Sequence, residues 1–456
     1  MSAITTINPA NEQVLKTYPL LTQQEVASLI DNMDKSQKIW ADESLDVRIK
    51  AMQRVALLLR QNLATYANLM TTEMGKPITQ ALAEIEKCAK LCDYYTFVAK
   101  EFFQPELIQT GYKKSYRTLE PIGIVFAIMP WNYPFWQVMR FAVPNILLGN
   151  AGLLKHSPNT TGSGLAIQEL FLQAGFPQDL FQSVVIDVAL APFIINHPKV
   201  SGVTLTGSYQ AGQAVASEAG KVVKKVVLEL GGSDPYLILH DADLSLAAEQ
   251  CVMSRLNNCG QVCIAAKRMI VVKAVKDKFI ELVMQKAKQY KIGDPLDPKT
   301  NLGPMARSDL RDKLALQVEK VIQEGATCLL GGKPEKTQGY YFPATVLTDI
   351  KPDSSVFTEE LFGPVICIIE AKDEAEAIFL ANNTDYGLAA GVFTQDRERG
   401  EQIAVKKLKA GTTAVNSLVS SDPRLPFGGT KKSGYGRELS REGLHEFANI
   451  KTIIVQ

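Results

Sequence analysis

Between Gly123 and Asn416 the chain returns again and again to short apolar runs, each followed by a connection long enough for a helix or a turn. GIVFAIMP, AGLLKHSP, FQSVVID, VSGVTLTGS and VVLELGG form a first set. RMIVVKAV, ATCLLGG, VICIIEA, LAAGVFT and AGTTAVN form a second, with helical stretches such as VKDKFIELVMQKAKQY between several of them. Runs apolar on both faces mark strands covered on both sides, as in parallel sheets. Strands alternating with helices build open α/β sheets. The expected fold class is therefore α/β, with two open lobes that divide near Leu230–Ser233. The first hundred residues read as helices. TQQEVASLIDNMDKSQKIW carries Val26, Leu29, Ile30 and Met33 at helical spacing. LDVRIKAMQRVALLLRQNLATYANLMTTEMG and ITQALAEIEKCAKLCDYYTFVAKEFF continue the theme. YKKSYRTLEP (112–121) alternates as a hairpin arm would. FANIKTIIVQ reads as a terminal strand without a partner nearby, and such an edge invites another chain.

From Pro121 to Leu154 the only charge is Arg140. Four prolines and Asn132, Asn145 and Asn150 interrupt this stretch, whereas a membrane-spanning helix needs about 20 unbroken apolar residues. A strand, a loop and a buried helix are expected instead, and Arg140 then needs a partner. The 49 Lys and Arg balance 48 Asp and Glu. That leaves no basic surplus for nucleic acid. MSAITTINPANEQ lacks the basic start and apolar run of a secretory signal. With seven thinly spread cysteines, the expectation is a cytoplasmic protein with free thiols.

Two cysteines, Cys259 and Cys263, lie in NNCGQVCIAAKR. Their spacing falls in the range of zinc ligands. A second such pair, Cys88 and Cys92, sits in a helical stretch, and no two of the four histidines are close in sequence, so no metal is expected. Thioredoxin-type redox pairs are spaced CxxC instead. A nucleophile needs an exposing turn, which Gly260 supplies, and backbone amides there can hold an oxyanion. A buried packing cysteine remains the competing reading. Glu229 in LELGG ends an expected strand, where α/β sheets place ligands. A solvated or ion-paired glutamate is its alternative. Asn132 in MPWNYPFW is a candidate oxyanion donor or a turn-former before Pro134. Glu360 precedes an aromatic and a Gly-Pro turn in EELFGPV.

Taken together, PWNYP, LLKHSPN, TGSYQAG, LELGG, GQVC, EELFGPV and PFGGTKKSGYGRE resemble the aldehyde dehydrogenase superfamily over essentially the whole chain. Within it, the chain most resembles the succinate-semialdehyde dehydrogenase group. The resemblance implies a Rossmann-like NAD(P)-binding domain (1–102 and 122–230) and a catalytic domain (231–434). It also implies bridging elements (103–121 and 435–456) that join a homodimer or homotetramer. It implies Cys263 as nucleophile, with the Asn132 side chain and the Cys263 amide holding the substrate oxygen. Glu229 would activate water, which separates the chain from the CoA-acylating branch. For the cofactor it implies Trp131, Lys155, Ser157, Pro158, Gly207, Ser208, Gly212, Leu230, Glu360 and Phe362. Pro158 stands where many NAD-preferring relatives carry a glutamate, so use of both NAD and NADP is expected.

For the substrate the resemblance implies Arg140, holding a carboxylate. Asn257 occupies the place of a second family arginine, and Ser420, Ser421 and Arg424 fall where relatives place substrate contacts. A short ω-carboxylate aldehyde such as succinate semialdehyde is the implied substrate. The alternatives are another small aldehyde or a non-catalytic zinc-stapled binding protein. Cys259 has no implied role; it is a packing residue or the partner of Cys263 in a reversible disulfide.

Overall fold

The computed structural model describes residues 3–456. A six-stranded sheet runs in the order Gly434–Tyr435, Lys225–Glu229, Val200–Thr206, Ile124–Met129, Ala151–His156 and Phe181–Ser183. Its last five strands are parallel and correspond to the first set of apolar runs. Helices cover both faces, so Val125, Phe126, Leu153 and Val203 are wholly buried. The seven-stranded second sheet runs Thr327–Leu330, Thr345–Thr348, Val365–Ala371, Arg268–Val272, Pro235–Ile238, Ala389–Phe393 and Thr412–Val415. Only the Thr327–Leu330 edge is antiparallel. Each sheet anchors its own apolar core. Two interior strands, Pro235–Ile238 and Thr345–Thr348, are absent from the sequence reading. Each is four residues long, too short to show a period.

The chain leaves the first sheet at Glu229 and enters the second at Pro235. It returns at Gly434, which pairs antiparallel with Glu229.

The N-terminal region departs from an all-helical reading. Ala3–Ile7 and Val14–Pro19 form a hairpin before the first helix. Thr22 and Glu25 then build a reciprocal capping box that starts the helix Gln23–Asp42. The single helix expected from Leu45 to Gly75 breaks at Asn62, giving Leu45–Gln61 and Leu63–Met74. The terminal strand is a correction. Ala448–Val455 pairs along its full length with Lys114–Pro121, which also pairs with Glu106–Leu107. Two segments more than 300 residues apart in sequence close this sheet, and local pattern carries no record of that. Among the described residues, no helix is long and apolar enough to cross a membrane.

The apolar stretch around Arg140 forms the helix Trp136–Leu148, buried on every side. Its start is held by Glu84, whose Oε1 accepts from the backbone amides of Phe135 (3.0 Å) and Trp136 (2.9 Å). Glu84 is ion-paired with Lys76, and the Lys76 ammonium lies 3.7 Å from the centre of the Tyr133 ring. A buried carboxylate is tolerated here because a cation and two amides at a helix N-terminus share its charge. The network fixes the loop that carries Trp131 and Asn132.

Candidate active site

The parallel strands of the first sheet end side by side at Met129, His156, Thr206 and Glu229. Trp131 and Asn132 follow the first of these ends, Gly207 and Ser208 the third, Leu230 the last. Facing them are loops that enter strands of the second sheet. Cys263 stands five residues before Arg268, and Glu360 and Phe362 stand just before Val365. A cleft of about 480 Å³ lies between, lined by all eight of these residues. This is the crevice beyond strand C-termini where open α/β sheets bind ligands.

The turn before Cys263 is unusual backbone. Asn258, Cys259 and Gly260 all have positive φ, at 51°, 54° and 68°. Such conformations cost about 1–3 kcal/mol each for non-glycine residues and persist only where surroundings impose them. Arg255 imposes them. Fully buried, it donates to the carbonyls of Val365 (2.6 Å), Gly260 (3.1 Å) and Leu361 (2.6 Å). The loop bearing Glu360 is thereby tied to the turn bearing Cys263. Asn132 Nδ2 donates to the Gln261 carbonyl (3.0 Å), and Asn258 Nδ2 donates to the Asn132 carbonyl (2.8 Å). Gln261 Oε1 accepts from the Ala306 amide (2.9 Å).

A Cβ at Gly260 would overlap the Gly363 carbonyl, and φ there is already left-handed. Gly260→Ala is therefore expected to destabilise the protein by well over ~1 kcal/mol, read as a lower denaturation midpoint. An unchanged midpoint would show that the turn is free to move.

Cys263 is half-buried, and burial pushes its thiol up to about 11, against the opposing pull of Lys267 and Arg140. Lys267 holds the Cys263 carbonyl and, at 2.9 Å, Oε1 of Glu360. Glu229 is 2% exposed, and among the described residues neither carboxylate oxygen has a hydrogen-bond partner. Burial drives its carboxyl well above the usual carboxylate range, partly countered by Arg140. A carboxyl without partners is poised to exchange a proton. Cys259 faces elsewhere. It is packed in the second core against Met305, and burial pushes its thiol up to about 12.

The cleft fits a dinucleotide on four observations. Ser208 caps a thirteen-residue helix whose N-terminus opens on it, a setting that favours anions. Trp131 and Phe362 meet edge to face, 5.8 Å between ring centres. Glu360 offers a carboxylate that also accepts from the Gly232 amide (3.2 Å). Gly231 lets Glu360 approach, since a Cβ there would overlap it. Gly212, within the capped helix, packs against Leu230. Lys155, Ser157 and Pro158 stand on the neighbouring strand end, outside the residues that line the cleft.

A second crevice of about 320 Å³ meets the cleft at Cys263. Arg140, Asn257, Ser420 and Ser421 line it. Arg140 is 2% exposed, ion-paired with Glu438, and stacked 4.7 Å from the Phe427 ring centre. Its Nη2 is buried with no hydrogen-bond partner among the described residues. Asn257 donates to the Tyr133 hydroxyl (2.8 Å). Arg424 is not brought to the crevice. Its side chain is 72% exposed and forks onto Asp422.

The family model described as "Aldehyde dehydrogenase family" matches residues 1–453. The chain belongs to the aldehyde dehydrogenase family. It is 43% identical over 447 residues to a succinate semialdehyde dehydrogenase [NAD(P)+] of Escherichia coli, covering 98% of this chain and 96% of that one. It is 40% identical over 448 residues to a succinate-semialdehyde dehydrogenase [NADP(+)] of Deinococcus radiodurans, covering 98% and 94%. Its fold superposes with a TM-score of 0.97 on the crystal structure of succinic semialdehyde dehydrogenase from Streptococcus pyogenes in complex with NADP+. That pair is 36% identical, over 99% and 100% of the two chains.

Several residues that shape this aldehyde dehydrogenase site escape a motif reading. Arg255 and Lys267 look like ordinary helix-end and loop cations, and nothing local says that both are buried. Lys87 lies on the helix Ile78–Phe103 yet lines the crevice beside Arg140. Its position immediately before Cys88 gives no hint of this, because the contact is tertiary.

Proposed function

We propose that this aldehyde dehydrogenase oxidises succinate semialdehyde, or a similarly short ω-carboxylate aldehyde, to the acid with NAD or NADP. The observation that carries the reading is the position of Cys263, at the junction of a dinucleotide-sized cleft and a crevice walled by the buried Arg140 and the half-buried Lys87. The nucleotide then lies between the lobes, held by the Ser208 helix end and Trp131 from the first and by Glu360 and Phe362 from the second. The second lobe presents the nucleophile.

Cys263 gives up its proton to solvent water in the open crevice, and its thiolate attacks the aldehyde carbon, forming a thiohemiacetal. Asn132 Nδ2 carries a second hydrogen beyond the one held by Gln261. That hydrogen and the Cys263 amide hold the developing oxyanion, an effect worth about 3 kcal/mol per donor in comparable sites. Bound NAD or NADP supplies the hydride acceptor. The resulting Cys263 thioester is hydrolysed by water, whose proton Glu229 takes up. Arg140 Nη2, buried and unpartnered, orients the distal carboxylate.

The test is a panel of aldehydes assayed with each nucleotide by reduced-nicotinamide absorbance. Succinate semialdehyde should exceed butanal in kcat/KM by about 10–100-fold, as a charged hydrogen bond allows. Pro158 places no carboxylate against a 2′-phosphate, so the two nucleotides should differ by less than about 1000-fold, or ~4 kcal/mol. Butanal matching succinate semialdehyde would contradict the substrate reading. A larger nucleotide ratio would contradict dual use.

A further inference from the structure

The crevice beside Cys263 is lined by two cationic side chains, Arg140 and Lys87, and they differ in what already neutralises them. Arg140 has the buried carboxylate of Glu438 against it. Lys87 has none. Its Nζ donates to Ser421 Oγ (2.8 Å) and lies 4.2 Å from the Trp136 ring centre. The nearby acids are committed elsewhere. Glu84 on the same helix is paired with Lys76, and Asp422 on the facing loop is paired with Arg424. Among the described residues, no carboxylate pairs with Lys87. Asn257, on the nucleophile's side of the crevice, is neutral and tied to Tyr133.

An ammonium half-buried in a crevice without a counter-ion is costly. Burial pulls Lys87 down to about 8, Arg140 pushes the same way, and Cys88, Glu84 and Asp422 oppose them. An ammonium has three donors, and Ser421 uses one. A ligand that brings a carboxylate into this crevice supplies both the missing charge and the missing acceptors. A ligand of the same length with a methyl end supplies neither.

We propose that Lys87 is the specificity-determining residue of the site, giving the net positive charge that selects an aldehyde with a distal carboxylate. Arg140, already compensated by Glu438, contributes direction through its free Nη2 more than charge. This inference rests on the substrate reading above and assigns its selectivity to a residue outside every motif that carries the family resemblance.

The test uses the full-length enzyme and its Lys87→Met, Lys87→Gln and Lys87→Arg variants, with succinate semialdehyde and butanal. Lys87→Gln keeps a donor for Ser421 and guards against a folding failure in Lys87→Met. The expected result is a rise of about 10–100-fold in KM for succinate semialdehyde in both neutral variants. KM for butanal should move far less, and Lys87→Arg should keep most of the preference. In the wild type, KM for succinate semialdehyde should also climb as pH rises through about 8, where Lys87 loses its proton. That climb should vanish in Lys87→Arg. Neutral variants that keep the wild-type preference would overturn the assignment while leaving the substrate reading intact. A wild type with no preference for succinate semialdehyde would overturn the substrate reading and the Lys87 assignment with it.

Discussion

Cys263→Ala is expected to lower dehydrogenase turnover by about 10⁴-fold or more, because no other group can take the nucleophile's place. The remaining cysteines are badly placed for rescue. Cys88, Cys92, Cys251 and Cys367 are buried in the cores, and Cys328 is exposed on the edge strand of the second sheet. Cys259 is the nearest in sequence, but its thiol is buried in the second core and pushed up to about 12. Cys259→Ala should therefore leave turnover within a few-fold of wild type, which makes it the matched control. Nucleotide binding, read by quenching of tryptophan fluorescence, should survive in Cys263→Ala, since the cleft's walls are unchanged. Turnover retained in Cys263→Ala and lost in Cys259→Ala would reverse the assignment.

Glu229→Gln is expected to reduce steady-state turnover by about 10²–10⁴-fold, the usual worth of a positioned general base. The hydride step should still occur once. A rapid burst of one reduced nucleotide per chain would then be followed by near silence, visible in stopped-flow absorbance. The pH profile carries a further sign. Burial raises both the Glu229 carboxyl and the Cys263 thiol, the thiol to about 11, so release of each proton is shifted to higher pH in the ligand-free enzyme. Turnover should increase with pH as the two are released. In Glu229→Gln the part of that rise belonging to Glu229 should be missing. Glutamine preserves shape, so a variant with wild-type turnover would mean that water is activated by another group.

The two parallel-dominated sheets of an α/β fold are legible in the sequence because parallel strands buried on both faces leave continuous apolar runs. Glu229, Asn132 and Cys263 are legible as candidates because each sits at a strand end or a glycine turn. Their convergence is not. It depends on the C-terminal edge of one sheet meeting loops that enter the other, a relation set by contacts across more than a hundred residues. The same limit hides Arg255, whose three carbonyl partners include two that lie over a hundred positions away. It hides Lys87, whose helix reads as an ordinary amphipathic element. Arg424 shows the opposite failure. Sequence proximity to PFGG suggests a substrate contact, but a neighbouring aspartate two residues away captures the side chain at the surface.

In the proposed mechanism Cys263 carries the acyl group and Glu229 releases it. Intact and peptide mass spectrometry of Glu229→Gln, mixed with succinate semialdehyde and NADP and quenched in acid, tests it most directly. The expected result is one succinyl group per chain, as a thioester on the peptide that contains Cys263. An adduct on Cys259, or a chain left unmodified after a full burst of reduced nucleotide, would contradict it.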